Sequence, residues 1–491
     1  MNLYSRTLLN VLIISMLGVL VSSCGGLGIF SEKKVISPEI VGENSNDDHF
    51  VSDSVNQKTL SAGKMLDDIN SGIYQRLPYG YELIKFPQKF SSIFVRQAVR
   101  ELQSKAYRLK EKGAVNRAGE IKDTTLKRLE QNCNLEALPQ TVTTAYAVVS
   151  KKTPVLLYPS NDVWHKDKKT KDRNILHIDE LAIGEPVAVL SISNDKRYYF
   201  VQSRFNRGWV PVINLAFTRY ISWLKFVRPS DFAVVKTPVY SITLSTKDKK
   251  TYDYSMGDII LLDVAASSIN KPVGLLPQNT NGILSFKTAE LSLDNVNVGY
   301  LNPTRKNILA QARLYKNLSR TVYSKLDEIR SNSKMFARAY RSIGVHMPLD
   351  YDNMKAACAK RIGLVGKTYE QKLSSYVDAR PGDLLFFEDD VALLYGSTPR
   401  YARHIQGIAA YLYVDSVQNE VDYKKIVKQY DRILVSDLRY YTLKNHIAFS
   451  EIEFIGQFFT TNENRSKLPG DDSYDSWYDY DPLYIDELET N

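Results

Sequence analysis

The chain has 491 residues, of which 44% are hydrophobic, 24% charged and 11% aromatic, and its formal net charge is +9. This composition excludes a wholly disordered chain, which would be less apolar, and a polytopic membrane protein, which would be less polar. Three cysteines exclude a disulfide-dense scaffold and a four-cysteine zinc site, and a mild positive excess over this length does not indicate a nucleic-acid partner. At about 100–200 residues per domain, the length predicts roughly three domains.

The N-terminus contains an apolar run over 7–21, which follows Arg6. The run is shorter than a membrane-spanning helix and has the length of a signal-peptide core. Small residues precede Cys24 and two glycines follow it, which resembles a bacterial lipoprotein signal. We therefore expect residues 1–23 to be removed and an acylated Cys24 to attach the protein to a membrane surface without spanning it. A plain secretory signal peptide is the alternative.

Removal of the signal peptide has consequences for charge and for the remaining cysteines. The mature chain loses only the charge of Arg6, so its net charge is +8. Cys133 and Cys358 then face an oxidising compartment, where they either pair or remain two buried thiols. Glycine rather than aspartate at position 25 favours the outer membrane of a two-membrane cell, with the protein facing the periplasm.

A flexible tether and a helical segment follow Cys24. Residues 24–60 are rich in Ser, Asn, Asp, Gly and Lys without sustained periodicity, which is typical of a tether. Over 61–140 the pattern is helical, and Gly113 is expected to end its clearest helix. Apolar residues recur there at spacings of three or four and indicate core packing: Val95, Val99, Leu102, Ala106 and Leu109.

The next segment reads as short β-strands. The clearest occupy 184–203, where two apolar strands flank the predicted turn Asn194-Asp195. Residues 207–211 follow with the sequence Arg-Gly-Trp-Val-Pro. Gly208 is expected to allow a tight bend that places Trp209 on a β-barrel.

This strand–turn–strand pattern resembles the bacterial SH3-like domains that precede NlpC-type catalytic domains in cell-wall enzymes. Gly184 and Trp209 carry the signature. The resemblance implies a small β-barrel over 141–228, and a weaker copy of the pattern predicts a second barrel over 229–303. One larger, irregular β domain is the alternative.

Residues 304–460 resemble the NlpC-type peptidoglycan endopeptidases. Three motifs carry this resemblance: Thr304-Arg-Lys-Asn-Ile308, Tyr340-Arg-Ser-Ile-Gly344 at the end of a helix, and Pro381-Gly-Asp-Leu-Leu-Phe-Phe387. The family consists of papain-like cysteine peptidases, which cut the peptide stems of peptidoglycan. The resemblance therefore implies an α+β multidomain fold with a helical N-terminal segment, tandem SH3-like β-barrels and a papain-like C-terminal domain.

The catalytic residues of that family are absent from the matching positions. The family's nucleophilic cysteine starts the helix that ends in the Tyr340 motif, and counting back places Asn332 at that position. An amide nitrogen is not a nucleophile, so Asn332 cannot form a thioester. The best match for the strand that carries the catalytic histidine is 407–412, which places Gly407 at the base position. His404 lies three residues earlier and would serve only if the strand bulges.

Other chemistry finds little support in the sequence. Cys358 is the only cysteine of the C-terminal domain and lies about 26 residues beyond the nucleophile position, so we expect a core or disulfide role. No group of His, Cys and acidic residues has metal-ligand spacing, and no nucleotide-binding motif is present. The sequence therefore predicts no metal and no cofactor.

The last segment, 461–491, is acidic and aromatic. Residues 471–491 hold eight acids, no Lys or Arg, four Tyr and one Trp, so the rest of the mature chain carries a net charge of +16. This composition is typical of a disordered, solvating tail. The alternative is a segment that docks on the basic body or on a partner, with its aromatic side chains as anchors.

Together these features favour a lipid-anchored cell-envelope protein whose NlpC-like domain is degenerate. We expect it to bind peptidoglycan or its stem peptides, or an envelope protein, and not nucleic acid. One alternative is an active cell-wall hydrolase with a rearranged site. A second is an envelope scaffold that binds only proteins.

Overall fold

The computed structural model describes residues 51–168, 174–244, 250–268, 270–317, 331–375, 379–388, 390–396, 410–414, 433–436 and 451–459. The predicted signal peptide with Cys24, the residues His404 and Gly407, and the tail 461–491 lie outside the described residues. Within these ranges, no helix combines the length and apolar character that crossing a membrane requires.

Among the described residues, three α-helices precede the first β-rich region along the chain. In the described ranges the α-helices are α1 (Val51–Arg76), α2 (Ser92–Glu111), α3 (Asp123–Asn132), α4 (Tyr220–Val227), α5 (Arg305–Arg313), α6 (Asn332–Ser342), α7 (Tyr351–Ala357) and α8 (Tyr369–Ser375). Because α1 begins at Val51, the end of the segment predicted as a tether is helical.

The apolar stripe predicted for α2 is confirmed. Val95, Val99, Leu102 and Ala106 are fully buried, and they share one cluster with α3 and with Trp209 of the β-rich region. Helix α2 ends one residue before Lys112, and the Gly113 that follows has a φ of +87°, a left-handed conformation that favours glycine. The stripe therefore attaches the helical segment to this β-rich region.

The strands up to residue 218 are β1 (Lys89–Ser91), β2 (Val115–Asn116), β3 (Gly119–Glu120), β4 (Thr141–Thr143), β5 (Ala145–Val149), β6 (Thr153–Leu156), β7 (Trp164–His165), β8 (His177–Leu181), β9 (Pro186–Ile192), β10 (Tyr198–Gln202), β11 (Arg207–Pro211) and β12 (Leu215–Thr218). The first β region consists of seven of them in the order β12-β5-β9-β10-β11-β6-β8. The predicted turn Asn194-Asp195 is confirmed, since it joins the antiparallel strands β9 and β10.

The tight bend expected at Gly208 is not found, because this residue lies inside strand β11. A Cβ atom at Gly208 would lie 2.6 Å from Val155 Cγ1 and 2.8 Å from the carbonyl oxygen of Leu156. Glycine is thus required by the close approach of β6 rather than by a turn. The neighbouring Trp209 is fully buried, and its ring lies 5.2 Å from that of Phe200.

The second β region follows α4. Its strands are β13 (Phe232–Val235), β14 (Val239–Thr243), β15 (Thr251–Ser255), β16 (Ile259–Leu262), β17 (Val273–Thr280), β18 (Ile283–Glu290) and β19 (Val296–Val298). Strand β18 pairs in parallel with β12 at the single position Phe217–Ile283, and this pairing joins both regions into one twelve-stranded sheet. Each region has a cluster of apolar side chains, one around Val187 and Val210 and one around Ala233. A third cluster connects the regions, since it contains Val148 of β5, Trp223 of α4 and Val234 of β13.

The C-terminal region combines helices with a further sheet. Its strands are β20 (Lys360–Gly363), β21 (Leu384–Phe386), β22 (Val391–Gly396), β23 (Ala410–Val414), β24 (Ile433–Ser436) and β25 (Phe454–Gln457), in the order β20-β25-β21-β22-β23-β24. Helices α5, α6 and α7 share one core cluster with β21, β22 and β25. The α+β fold class is confirmed.

A buried polar network fixes this region and involves all three of the motifs that carry the resemblance. The Asp383 carboxylate accepts hydrogen bonds from Arg305 Nη1 at 2.7 Å and from Gln457 Nε2 at 2.8 Å. Tyr340 donates its hydroxyl proton to the carbonyl oxygen of Gly382. Since Arg305 and Asp383 are both almost fully buried, this ion pair connects α5 to the start of β21 in a water-poor environment. The network positions α6, whose N-terminus is the candidate site.

Candidate functional site

Helix α6 begins at Asn332, the residue that the sequence places at the nucleophile position. The Asn332 residue is only 3% exposed. The following residue, Ser333, donates its hydroxyl proton to the carbonyl oxygen of Leu349 at 2.9 Å, which connects the start of α6 to the segment that leads into α7. The helix start is therefore a fixed and largely buried position.

The Asn332 side chain is held by a carboxylate. Its Nδ2 atom donates to Oδ1 of Asp390 at 2.9 Å and to Oδ2 at 2.8 Å. Oδ1 also accepts a hydrogen bond from the backbone N–H of Val391 at 2.7 Å. The positive end of the α6 dipole favours an anion at this place. The pair thus consists of an amide and a carboxylate, and it contains neither a thiol nor an imidazole.

Asp390 is the residue that the sequence interpretation missed. It immediately precedes β22, and β22 pairs directly with β21 through Phe386–Val391. The strand that contains the second half of the predicted base segment is β23, which pairs with β22, whereas β21 pairs with β22 and β25. The signal available in the sequence was the short spacing between Phe387 and the apolar run Val391–Gly396. The assignments of Gly407 and His404 stay predictions.

The two cysteines in the described ranges are free and buried. Cys133 belongs to the cluster that contains α2, whereas Cys358 belongs to the core of the C-terminal region. Burial raises the pKa of each thiol to about 12. A nucleophilic cysteine needs a lowered pKa, so Cys358 has the properties of a core residue.

The first β region contacts the C-terminal region through polar side chains. Asn353 of α7 donates to Oδ1 of Asn206 at 3.3 Å, and Asn206 donates to Asp179 at 2.7 Å. Burial, opposed by the bond from Asn206, raises the pKa of Asp179. Arg341 of α6 lies 3.4 Å from a carboxylate oxygen of Glu185. These contacts hold the β-barrel beside α6 and α7.

Gly184 and Trp209, the two predicted signature residues, have separate structural roles. Gly184 lies in the turn between β8 and β9 with a φ of +88°, which favours glycine. Trp209 lies in the core between the barrel and α2. Within the described ranges, no group of three or more His, Cys, Asp or Glu side chains is arranged to hold a metal ion.

Comparison with known proteins identifies one domain and the fold of the chain. Residues 176–211 match the family model of an SH3 domain of the SH3b1 type, and this match includes Gly184 and Trp209. A search of curated proteins finds no match.

Two solved structures resemble the chain. An NlpC/P60 endopeptidase from Photobacterium damselae subsp. piscicida aligns with a TM-score of 0.58 and 13% identity, over 81% of this chain and 93% of that one. An NlpC/P60 family protein from Bacillus cereus ATCC 10987 aligns with a TM-score of 0.41 and 11% identity, over 64% of this chain and 100% of that one. The first alignment shows that the fold extends across helices, β regions and the C-terminal region.

Proposed function

Because the chain contains an SH3 domain and has the fold of an NlpC/P60 endopeptidase, we propose that it binds peptidoglycan or its stem peptides in the cell envelope without cutting them. The observation that carries this proposal is Asn332, which starts α6 and whose amide is bonded to Asp390. Thiol catalysis needs a cysteine at a helix N-terminus with a base beside it, and this pair supplies neither a thiol nor an imidazole.

We further propose that Asp390, and not Gly407, occupies the base position. It precedes the strand that pairs with β21, and its carboxylate touches the side chain at the nucleophile position. The cysteine and the histidine of the family's catalytic pair are then both replaced, by the amide of Asn332 and the carboxylate of Asp390, which are hydrogen-bonded to each other. Such a pair keeps the polar groups of the site hydrogen-bonded, which a buried amide requires.

The location in the cell follows from the N-terminal sequence. We propose that Cys24 is acylated, that residues 1–23 are removed, and that the protein is attached to the outer membrane facing the periplasm. The basic body suits anionic groups of the wall. The acidic tail 461–491 is then available for an envelope protein partner, which is the scaffold alternative.

A sedimentation assay with insoluble peptidoglycan tests binding. The purified protein should co-sediment with the wall at moderate salt, and an unrelated protein of similar net charge serves as the control for nonspecific attraction. Failure of the protein to co-sediment under conditions that retain a known wall-binding protein contradicts the proposal.

A digestion assay tests the absence of catalysis. Incubation with soluble peptidoglycan fragments should release no new products, while an active wall endopeptidase releases them in parallel. New products that disappear in Cys358→Ala or His404→Ala would establish the rearranged hydrolase instead. Products that persist in both variants would also overturn the non-catalytic assignment.

A further inference from the structure

A pocket of about 60 Å³ lies where the first β region, the second β region and α6 meet. This volume corresponds to about four to six water-sized positions. Arg341, near the C-terminal end of α6, is one of its walls, so the pocket is separated from Asn332 by about 13 Å of helix. The pocket is therefore distinct from the candidate site.

The pocket is lined by the guanidinium groups of Arg204 and Arg341, and only some of their nitrogen atoms donate hydrogen bonds within the described part of the chain. Arg204 uses Nη2 to donate to the carbonyl oxygens of Phe226 at 3.2 Å and Val227 at 2.8 Å. Arg341 uses Nε for the carbonyl oxygen of Met347 at 2.7 Å. In the described part of the chain, Arg204 Nε, Arg204 Nη1 and Arg341 Nη2 donate to no further group. These three N–H groups can bind a carboxylate.

One carboxylate lies opposite these donors. Glu185 contacts Arg341 at 3.4 Å through Oε1, and its Oε2 atom accepts no hydrogen bond from the described residues. Glu185, Arg204 and Arg341 line the same pocket. Burial raises the pKa of Glu185, and the charges of Arg341 and Arg204 oppose this shift. Glu185 thus offers an acceptor beside the arginine donors.

The other ionisable groups of the lining add no net charge. Asp258 is paired with the buried Arg338. His346 lies between the hydroxyl groups of Tyr74 and Tyr300. Burial, with Arg204 and Arg341, lowers the pKa of His346 well below its usual value, so its ring is neutral. Two arginines against one glutamate leave the pocket with a charge of about +1, which suits a monoanion.

We propose that this pocket binds the carboxyl-terminal residue of a peptide with a small side chain. Its carboxylate binds Arg204 and Arg341, and its amide N–H donates to Glu185. A free amino acid fits less well, because its ammonium group cancels the charge that the pocket complements. The small volume of the pocket favours a small side chain. This assignment does not depend on whether the chain binds or cuts peptidoglycan.

Calorimetric titration of the purified protein at constant ionic strength tests the assignment, with N-acetyl-D-alanine and N-acetyl-L-alanine as probes. At least one probe should bind. N-acetylalaninamide, which lacks the carboxylate, and acetate, which lacks the amide N–H, should each bind more than tenfold more weakly. Equal binding of the amide excludes carboxylate recognition, and equal binding of acetate excludes recognition of a peptide end.

Variants locate the binding. Arg204→Met should weaken binding of the better probe more than tenfold, whereas Arg228→Met, at an arginine that is 68% exposed outside the pocket, should leave it unchanged. Arg204→Lys keeps the charge and a donor for the carbonyl oxygens of Phe226 and Val227, and should still weaken binding several-fold. Unchanged affinity in Arg204→Lys, or absence of binding by either probe, overturns the proposal.

Discussion

Helix α6 has two contrasting environments along its length. Near its C-terminal end, Tyr340 bonds to Gly382, next to the buried pair of Arg305 and Asp383, and all of these residues belong to motifs that resemble the NlpC-type family. At its start, Asn332 departs from the family pattern. The buried network that connects the three motifs and the polar pair at the start of the same helix involve different residues, so each can be tested by itself.

The scaffold network should be the more sensitive of the two regions. Asp383→Ala leaves the buried Arg305 without its carboxylate, and loss of one partner of a buried ion pair costs about 3–5 kcal/mol. Denaturant unfolding, with hydrogen exchange to identify the transition of the C-terminal region, measures this loss. Glu290→Ala is the matched control, because its ion pair with Lys271 is exposed and such pairs contribute at most about 1 kcal/mol.

A loss in Asp383→Ala no greater than in Glu290→Ala would remove the distinction between scaffold and site. The network would then be one of many interchangeable contacts. The Arg305–Asp383 pair would then no longer explain why the motifs around these two residues are needed for the fold.

The stability contributed by the Asn332–Asp390 pair at the start of α6 should depend on the charges of the two side chains rather than on their shapes. Asn332→Asp puts a carboxylate oxygen within about 3 Å of both Asp390 oxygens, and two carboxylates at this distance cannot both ionise. Loss of a hydrogen bond to a charged group, together with this repulsion, should cost about 1–3 kcal/mol at neutral pH. The shared proton raises the pKa of the pair in the folded state, so the loss should shrink as the pH falls.

The exchanged double variant is the control for this pair. Asn332→Asp with Asp390→Asn restores one amide and one carboxylate, and should recover most of the free energy of unfolding at neutral pH. Equal stability of Asn332→Asp and the unmodified protein from pH 7 down to pH 4 would mean that the Asn332–Asp390 contact does not form.

The fold was predicted well where local patterns determine it. The α2 stripe follows from apolar spacing, and the hairpin around Asn194-Asp195 follows from a turn between two apolar strands. Gly208 was correctly singled out but for the wrong reason, because only the packed structure shows Val155 and Leu156 against it. A sequence pattern indicates that glycine is needed but does not identify the atom that excludes a side chain.

The candidate site was predicted in part. The nucleophile position follows from the helix and its terminal motif, and α6 begins at Asn332 as expected. The sequence did not indicate Asp390, because strand order depends on long-range contacts. The apolar pattern of 407–412 is as typical of a strand as that of Val391–Gly396. Only the pairing of Val391–Gly396 with β21 distinguishes the two segments. The pocket with Arg204 and Arg341 was likewise invisible, since its walls come from segments far apart in the chain.

The smallest expected effect concerns His346, which lies four residues beyond the C-terminal end of α6. Burial and the nearby Arg204 and Arg341 lower the pKa of this ring, so the folded protein keeps it neutral while the unfolded chain protonates it near pH 6.5. Stability from this residue is thus fully present above that pH and decreases as the pH falls, by about 1 kcal/mol between pH 7 and 5.5. His346→Gln remains uncharged and should remove this component from the pH dependence of the unfolding free energy.

Asp179 and Glu185, whose pKa values are raised, act in the opposite direction at lower pH, and comparison of His346→Gln with the unmodified protein cancels their contribution. An identical pH slope in His346→Gln and in the unmodified protein would show that the ring takes up a proton in the fold as readily as in the unfolded chain. Below about pH 6.5 the pocket would then carry an extra positive charge, and a dianion would suit it better than the end of a peptide.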